Sequence, residues 1–523
     1  MTKAFNAAAY LVDRQVDAGH GPRTAVRSPG ATLTYDELAG QVRRVAAGMR
    51  SVGVRPEERV MLYMLDDQEM FVTILAAMRL GAVAVPVSTM LTSKELGMVL
   101  ADSRARLLVG SGELAELIEP ALAGAVDLAD LVLTGDPVRP APATVPTTPW
   151  RELLDVGEDP GTYTTWGDSP ALWLYSSGTT GQPKAVMHRH DDIRFVCETY
   201  GQQVLGVTPD DVCFSVAKLF FAYGIGNSMF FPLSVGASTV LDPARPAPTP
   251  VAERLAAERP TLFFGVPTFY ANLVASDVDP EVFSSVRQGV SAGEPLPASV
   301  YQRVLERFGV EVLDGIGSTE ALHIFLSNRP GKVHAGSSGT PVPGYEVELR
   351  DEDGRPVPDG EPGSLLLRGA SIATGYWCRT EPTRRAFQGE WLRTGDTYVR
   401  NDDGTYSCLG RSDDMLKAGG IWVSPAEVEE CILQHPDVAE VVVVGVPDAD
   451  GLDKPVACVV PVPGRHVDEA AVIAHCRESL SAFKRPRQVI EISELPKTAT
   501  GKVQRFALRA LALDRLAPSP SEQ

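Results

Sequence analysis

The sequence predicts an α/β protein built in two parts. A large N-terminal region, residues 1 to 411, carries mainly parallel sheets flanked by helices, and a small α+β domain follows over residues 412 to 523. Three observations predict it. Apolar runs of strand length alternate with runs of helical period in the first part, the pattern of right-handed crossovers and parallel pairing. At 523 residues the chain exceeds one ordinary core. After about residue 410 the pattern shifts to two strand-like and two helix-like runs within roughly a hundred residues, an ordinary domain size.

Taken in order, residues 33–50 open with a capping box of Thr34 and Glu37 and then place Leu38, Val42, Val45, Ala46 and Met49 at helical spacing. Val60–Leu65 reads as a strand, Gln68–Leu80 as a helix stopped by Gly81, and Val83–Val87 and Arg106–Val109 as further strands. Two proline-rich stretches, Asp136–Pro142 and Asp242–Pro250, read as loops, and no internal repeat appears. In the C-terminal part Val438–Gly445 and Val456–Val460 read as strands, and Ala426–Gln434 and Asp468–Ala482 as helices. Residues 517–523 are expected to fray.

Charge excludes some partners. Lys and Arg number 48 against 67 Asp and Glu, a net charge of −19. Such a chain offers no general surface to nucleic acid or to an anionic membrane, so cations that meet a phosphate must be local. The seven cysteines are dispersed without a Cys-x-x-Cys pair, which predicts reduced thiols and a cytoplasmic setting. The N-terminus lacks a signal-peptide core, and no apolar run approaches the ~20 residues that span a bilayer.

The chemistry concentrates in a few turns. Tyr175-Ser176-Ser177-Gly178-Thr179-Thr180-Gly181-Gln182-Pro183-Lys184 follows the apolar run Ala171–Leu174. Its glycines let backbone N–H groups converge on an anion, its hydroxyls add donors, and Lys184 adds a cation that reaches phosphate. The common P-loop pattern cannot be laid over it. Two more glycine turns end apolar runs: Ser291-Ala292-Gly293-Glu294-Pro295 and Asp314-Gly315-Ile316-Gly317-Ser318-Thr319-Glu320. A dinucleotide reading of Gly315-x-Gly317 is rejected, because no third glycine follows. His188-Arg189-His190 lies just past the Tyr175–Lys184 loop and is not read as a metal site. The run Lys218–Asn227 is rich in aromatics and glycine, holds no acidic residue, and suggests a flat apolar slot for a ring.

These motifs, in this order, resemble the adenylate-forming superfamily of acyl- and aryl-CoA ligases, peptide-synthetase adenylation domains and luciferases, over nearly the whole chain. The resemblance implies that the 175–184 loop, with Ser176, Ser177, Gly178, Thr179, Thr180, Gly181 and Lys184, holds the phosphates of ATP. Ala292, Gly293, Glu294, Asp314 and Gly315 would form the adenine shelf, Thr319 would contact the α-phosphate, and Glu320 would hold Mg²⁺, a hard cation that prefers oxygen. Trp391–Asp396 matches the Thr-Gly-Asp motif, whose carboxylate can accept both ribose hydroxyls, and Arg411 in Gly410–Lys417 would also reach ribose. Asp413 sits at the hinge of a mobile C-terminal domain, and Gly419 and Gly420 would line the thiol's approach. Pro496–Arg505 matches the C-terminal motif, which makes Lys502 the catalytic lysine and leaves Lys497 and Arg505 facing solvent.

The substrate run and Gly317–Asn328, with Phe5–Arg14, resemble the benzoate–CoA ligase branch. By that resemblance Ala222, Tyr223, Gly317, His323 and Ile324 line an aryl pocket, and His323 orients the carboxylate. Two departures stand out: Trp422 replaces the usual Arg after Gly419-Gly420-Ile421, and Ala321 replaces a larger apolar residue, which implies a wider or differently shaped pocket. The expected activity is condensation of an aryl acid with ATP and then with coenzyme A, by a monomer or a homodimer. A ligase that loads an acyl carrier protein remains open at this stage, as does a catalytically silent ATP-binding protein on the same fold. Intact Lys502, Glu320 and Asp396 weigh against the silent protein.

Overall fold

The computed structural model describes residues 4–135, 145–156, 159, 161–177, 183–411, 416–418, 421–447, 453–480, 484–497 and 503–516. The expected loop at 136–142 and the fraying expected at 517–523 both lie outside these residues. The chain divides into two compact units, Met1–Glu346 with Leu367–Leu392, and Val347–Leu366 with Arg393–Gln523. Residues 347–366 join the second unit because strands there share a sheet with the strand through 393–400. The 411/412 boundary read from the sequence falls inside this second unit.

Two sheets build the first unit. In the seven-stranded sheet the order is Thr147–Pro149, Asp130–Thr134, Leu107–Ser111, Arg59–Tyr63, Val83–Pro86, Pro170–Ser177 (β1) and Pro183–Arg189 (β2). All neighbours are parallel except the β1–β2 hairpin at the edge. The nine-stranded sheet runs from Ala31–Thr34 through Thr24–Ser28, Ser238–Val240, Val212–Ser215, Leu262–Gly265 and Gln288–Ser291 to Val312–Gly317 (β3), Ile324–Ser327 (β4) and Thr340–Pro341. Its interior is parallel and both edges are antiparallel. Strands such as Leu262–Gly265 and Val83–Pro86 are buried throughout, which is why they read as unbroken apolar runs.

Local chemistry sets the helix ends. The capping box at Thr34 and Glu37 forms in both directions and starts the helix Tyr35–Ser51. Asp67 caps Gln68–Arg79, and Gly81 beyond it takes φ +76°. The loop expected over Asp242–Pro250 ends early, since a helix begins at Pro248. Proline is preorganised for a first helical turn and loses no bond there.

In the second unit, Tyr406–Arg411 pairs antiparallel with the strand ending at Arg400. Val438–Pro447 pairs antiparallel with Asp453–Pro461, which takes Gln488–Glu491 in parallel. The helices Pro425–Leu433 and Glu469–Ser479 pack on one face, and Arg505–Leu516 contributes Leu508 and Ala512 to a separate cluster with Val442 and Val444. The two strands and two helices expected here match Val438–Pro447, Asp453–Pro461, Pro425–Leu433 and Glu469–Ser479 to within a few residues at their ends, while the strand Gln488–Glu491 and the helix Arg505–Leu516 were not expected.

Candidate active site

The loop expected to hold phosphate joins β1 to β2, which pair antiparallel. Ser176 stands opposite Lys184 and Ser177 opposite Pro183, while Gly178, Thr179, Thr180 and Gly181 lie outside the described residues. The Lys184 ammonium sits 4.3 Å from the centre of the Tyr376 ring, a cation–π contact. Strand β2 also pairs with the segment that carries this tyrosine: Met187 donates its N–H to the Gly375 carbonyl and Trp377 donates to Ala185.

The turn expected to be catalytic connects β3 to β4. Ser318 caps it, its hydroxyl accepting the Ala321 N–H at 3.2 Å, and Thr319–Ala321 forms one tight helical turn. Leu322 then takes φ +69°, a strained value for a branched side chain. Two side chains from outside the turn hold it. Tyr376 donates its phenol to Glu320 Oε1 at 2.8 Å. His188 lies 2.7 Å from the Thr319 carbonyl through Nε2 and 3.0 Å from Asp192 through Nδ1. Asp192, wholly buried, also accepts the N–H and Nε–H of Arg189. His188 is thus a brace for the turn. Its neighbour His190, buried and pushed down to about 4 by that burial, accepts the Ala7 N–H.

The proposed adenine shelf comes together as two turns side by side. Ser291 and Asp314 are parallel neighbours, so Ala292, Gly293 and Glu294 leave the sheet beside Gly315 at the carboxyl ends of the strands, where open α/β sheets bind ligands. Gly293 takes φ +102°, and a side chain on Gly315 would meet the Leu326 carbonyl at 2.6 Å. Asp314 accepts the Leu296 N–H, and burial raises its carboxyl to about 8 against the opposing pull of its hydrogen bonds.

Beside this turn lies the expected aryl pocket. Ala222–Ile225 forms a short helix that runs on through Gly226–Phe230. Ala222 and Tyr223 are half-buried, Ile324 is buried, and a side chain on Gly317 would meet the His323 carbonyl at 2.6 Å. The Tyr223 hydroxyl donates to the Gly265 and Val290 carbonyls, so it ties the pocket to the sheet. His323 is 2% exposed and packs against the rings of Tyr200, Tyr223 and Phe231. Burial pushes its imidazole down to about 3, so the ring is neutral at physiological pH. Nε2 faces two oxygens, the Tyr223 carbonyl at 3.3 Å and Asn227 Oδ1 at 3.2 Å, which places the single proton there. No described residue offers a partner to Nδ1. Orienting a carboxylate through Nδ1 would need the opposite tautomer.

Other residues expected at the site lie in the second unit. Asp396 and Arg411 face each other across an antiparallel pair and form an ion pair at 3.0 Å, so the two expected ribose contacts adjoin. Gly395 takes φ +81°, and a side chain there would meet the Arg411 guanidinium at 2.6 Å. Lys497 pairs with Glu440 at a partly exposed site. Arg505 corrects the sequence reading. It does not project into solvent but bonds the Val443 carbonyl and Glu429, anchoring the start of its helix to the sheet. Asp413, Gly419, Gly420 and Lys502 lie outside the described residues, as does the side chain of Trp422.

Glu320 meets the demands of Mg²⁺. It offers one carboxylate, fixed by a phenol, and among the described residues no cluster of three or more His, Cys, Asp or Glu side chains builds a closed cage. An ion that arrives with phosphates and keeps several waters needs no more.

Sequence reasoning missed Tyr376, Asp192, Tyr200 and Asn227 and gave His188 no role. Asn227 closed the substrate run, and the i, i+4 spacing of His188 and Asp192 was visible. Tyr376 had no local signal, since it reaches Glu320 across 56 residues.

A family model described as "AMP-binding enzyme" matches residues 12–377, and one described as "AMP-binding enzyme C-terminal domain" matches residues 427–502. The chain belongs to the AMP-binding enzyme family. This family member is 44% identical over 512 residues to "Benzoate--CoA ligase" of Thauera aromatica, covering 97% of this chain and 96% of that one. It is 42% identical over 519 residues to "4-hydroxybenzoate--CoA/benzoate--CoA ligase" of Rhodopseudomonas palustris, covering 97% and 94%. Among solved structures it resembles a benzoate CoA ligase from Burkholderia xenovorans LB400, with TM-score 0.89, 43% identity and coverage of 97% and 100%. It also resembles the anthranilate CoA ligase AuaEII in complex with anthranoyl-AMP, with TM-score 0.93, 39% identity and coverage of 99% of each chain. These relatives place this AMP-binding enzyme in the benzoate–CoA ligase branch of the adenylate-forming superfamily.

Proposed function

We propose that this enzyme joins a benzoate-like aryl acid to coenzyme A in two half-reactions. The carboxylate first attacks the α-phosphorus of ATP, forming aryl-AMP and releasing pyrophosphate. The CoA thiolate then attacks the aryl carbonyl, forming the thioester and releasing AMP. One observation carries the substrate reading. The side chains packed about His323 are Tyr200, Tyr223, Phe231 and Asn227, none of them ionised at neutral pH, so an amino acid's ammonium would be buried unpaired there.

Each group then has a task. Lys184 and the hydroxyls of the phosphate loop bind the triphosphate, and Thr319, held by His188, contacts the α-phosphate. Glu320 would hold Mg²⁺, which neutralises phosphate charge when bound. Asp396 and Arg411 hold the ribose. Lys502 brings a cation to the point where two anions meet, and its charge matters most in the transition state. Residues 412–523 pivot about Asp413 between the steps, exchanging Lys502 for the thiol's approach along Gly419 and Gly420. We place the enzyme in the cytoplasm, with ATP, CoA and reduced thiols. Among the described residues no helix is long and apolar enough to cross a membrane.

Pyrophosphate release across benzoate, palmitate and phenylalanine, with and without CoA, tests the reading. Benzoate should be activated fastest, and CoA should convert a single turnover into steady release. Faster activation of palmitate or phenylalanine would refute the aryl assignment. Turnover only with a phosphopantetheinyl carrier protein would replace CoA as the acceptor.

A further inference from the structure

We propose that Tyr376 is a positioning residue that couples the phosphate-loop lysine to the metal-binding carboxylate. The inference rests on the ATP-binding roles given to Lys184 and Glu320 above. Its own support is the geometry around one ring. The face of Tyr376 lies under the Lys184 ammonium at 4.3 Å, and its hydroxyl donates to Glu320 Oε1 at 2.8 Å. The ring itself is fixed. It is buried with Val186 and Ala373, meets Phe387 edge-on at 5.3 Å, and sits in a segment bonded to β2 on both sides of it.

Lys184 and Glu320 come from different sheets and carry opposite charges, yet Tyr376 contacts both without neutralising either. A direct Lys184–Glu320 ion pair would quench the cation meant for phosphate and the anion meant for Mg²⁺. The ring keeps them apart and holds each in place: a cation–π contact seats the ammonium, and the phenol fixes the carboxylate that would hold the metal. The Glu320 backbone is held as well, because its carbonyl accepts the Ala373 N–H at 2.8 Å. Loading Mg²⁺ and seating the triphosphate therefore become one cooperative event.

Equilibrium titration of ATP in the absence of any acid, with and without MgCl₂, separates this coupling from turnover. The parent should bind ATP more tightly with Mg²⁺. Tyr376→Phe keeps the ring under Lys184 and should leave Mg²⁺-free affinity within about twofold, while the Mg²⁺-dependent gain falls by roughly tenfold or more, the usual worth of a hydrogen bond to a charged group. Tyr376→Leu should also weaken Mg²⁺-free binding, by roughly two- to fivefold, as the cation–π seat is lost. Glu320→Gln should remove the same Mg²⁺ gain, and adding Tyr376→Phe to it should cost nothing further. An unchanged Mg²⁺ gain in Tyr376→Phe, or losses that add in the double variant, would overturn the coupling. A parent that binds no ATP at all would instead overturn the functional reading beneath it.

Discussion

Gly226→Ala tests the aryl pocket with a single methyl group. That methyl would stand 2.3 Å from His323 Cδ2, 2.8 Å from Nε2 and 3.3 Å from Phe231 Cζ. Carbon atoms pack best at roughly 3.5–4.0 Å, so the imidazole must shift by about an ångström. It has little room to do so, being 2% exposed with Phe231 edge-on at 4.6 Å and Tyr200 at 5.2 Å. A shift of that size also breaks the Nε2 contacts to Asn227 and Tyr223. Overpacking costs about 1–3 kcal/mol and a lost hydrogen bond about 1 kcal/mol, so the total is about 2–4 kcal/mol, shared between stability and substrate binding. In a pyrophosphate-release assay the KM for benzoate should rise by about tenfold, while the KM for ATP stays within about twofold, and Tm should fall. Removing the obstructing ring provides the control: in a His323→Ala background the same methyl should be nearly harmless. Equal effects of Gly226→Ala in both backgrounds would refute the packing argument.

Three further outcomes are expected. Lys502→Ala should lose on the order of 10²–10³ in adenylation rate while still converting supplied benzoyl-AMP to thioester, and equal loss of both half-reactions would refute its assignment to the first step alone. Asp413→Pro should form benzoyl-AMP near the parent rate yet transfer it poorly, because proline fixes φ near −65°, and undiminished thioester formation would place the pivot elsewhere. His323 gives a pH dependence with a definite sign. Unfolded, its imidazole takes a proton below the ordinary 6.5, but folded only near 3, so between these values the unfolded state binds more protons and stability falls as pH drops. Denaturant unfolding of His323→Gln should show a shallower loss from pH 6.5 toward 4 than the parent, and identical slopes would contradict the buried neutral ring.

Much of the fold was legible because its signals are local. The capping box at Thr34 and Glu37, the stop at Gly81 and the unbroken apolar strands each follow from neighbouring residues. The glycine turns were legible too, since backbone close to a ligand or to a neighbouring strand excludes a side chain, as Gly315 and Gly317 show. What escaped depends on distant pairing. Tyr376 meets Lys184 only because its segment lies along β2, and the grouping of residues 347–366 with the C-terminal unit comes from sheet pairing that no short window reveals. Arg505 was misread because a basic residue in a polar loop is ordinarily solvated. Here Glu429 and an available strand carbonyl give it a site.

Product analysis by mass spectrometry tests the central claim most directly. Purified enzyme would be incubated with benzoate, ATP and Mg²⁺, first without and then with CoA. The account predicts benzoyl-AMP and pyrophosphate at about one equivalent per enzyme without CoA, and continuous formation of benzoyl-CoA and AMP once CoA is added. Formation of ADP in place of AMP, or of no thioester while adenylate accumulates in the presence of CoA, would contradict it.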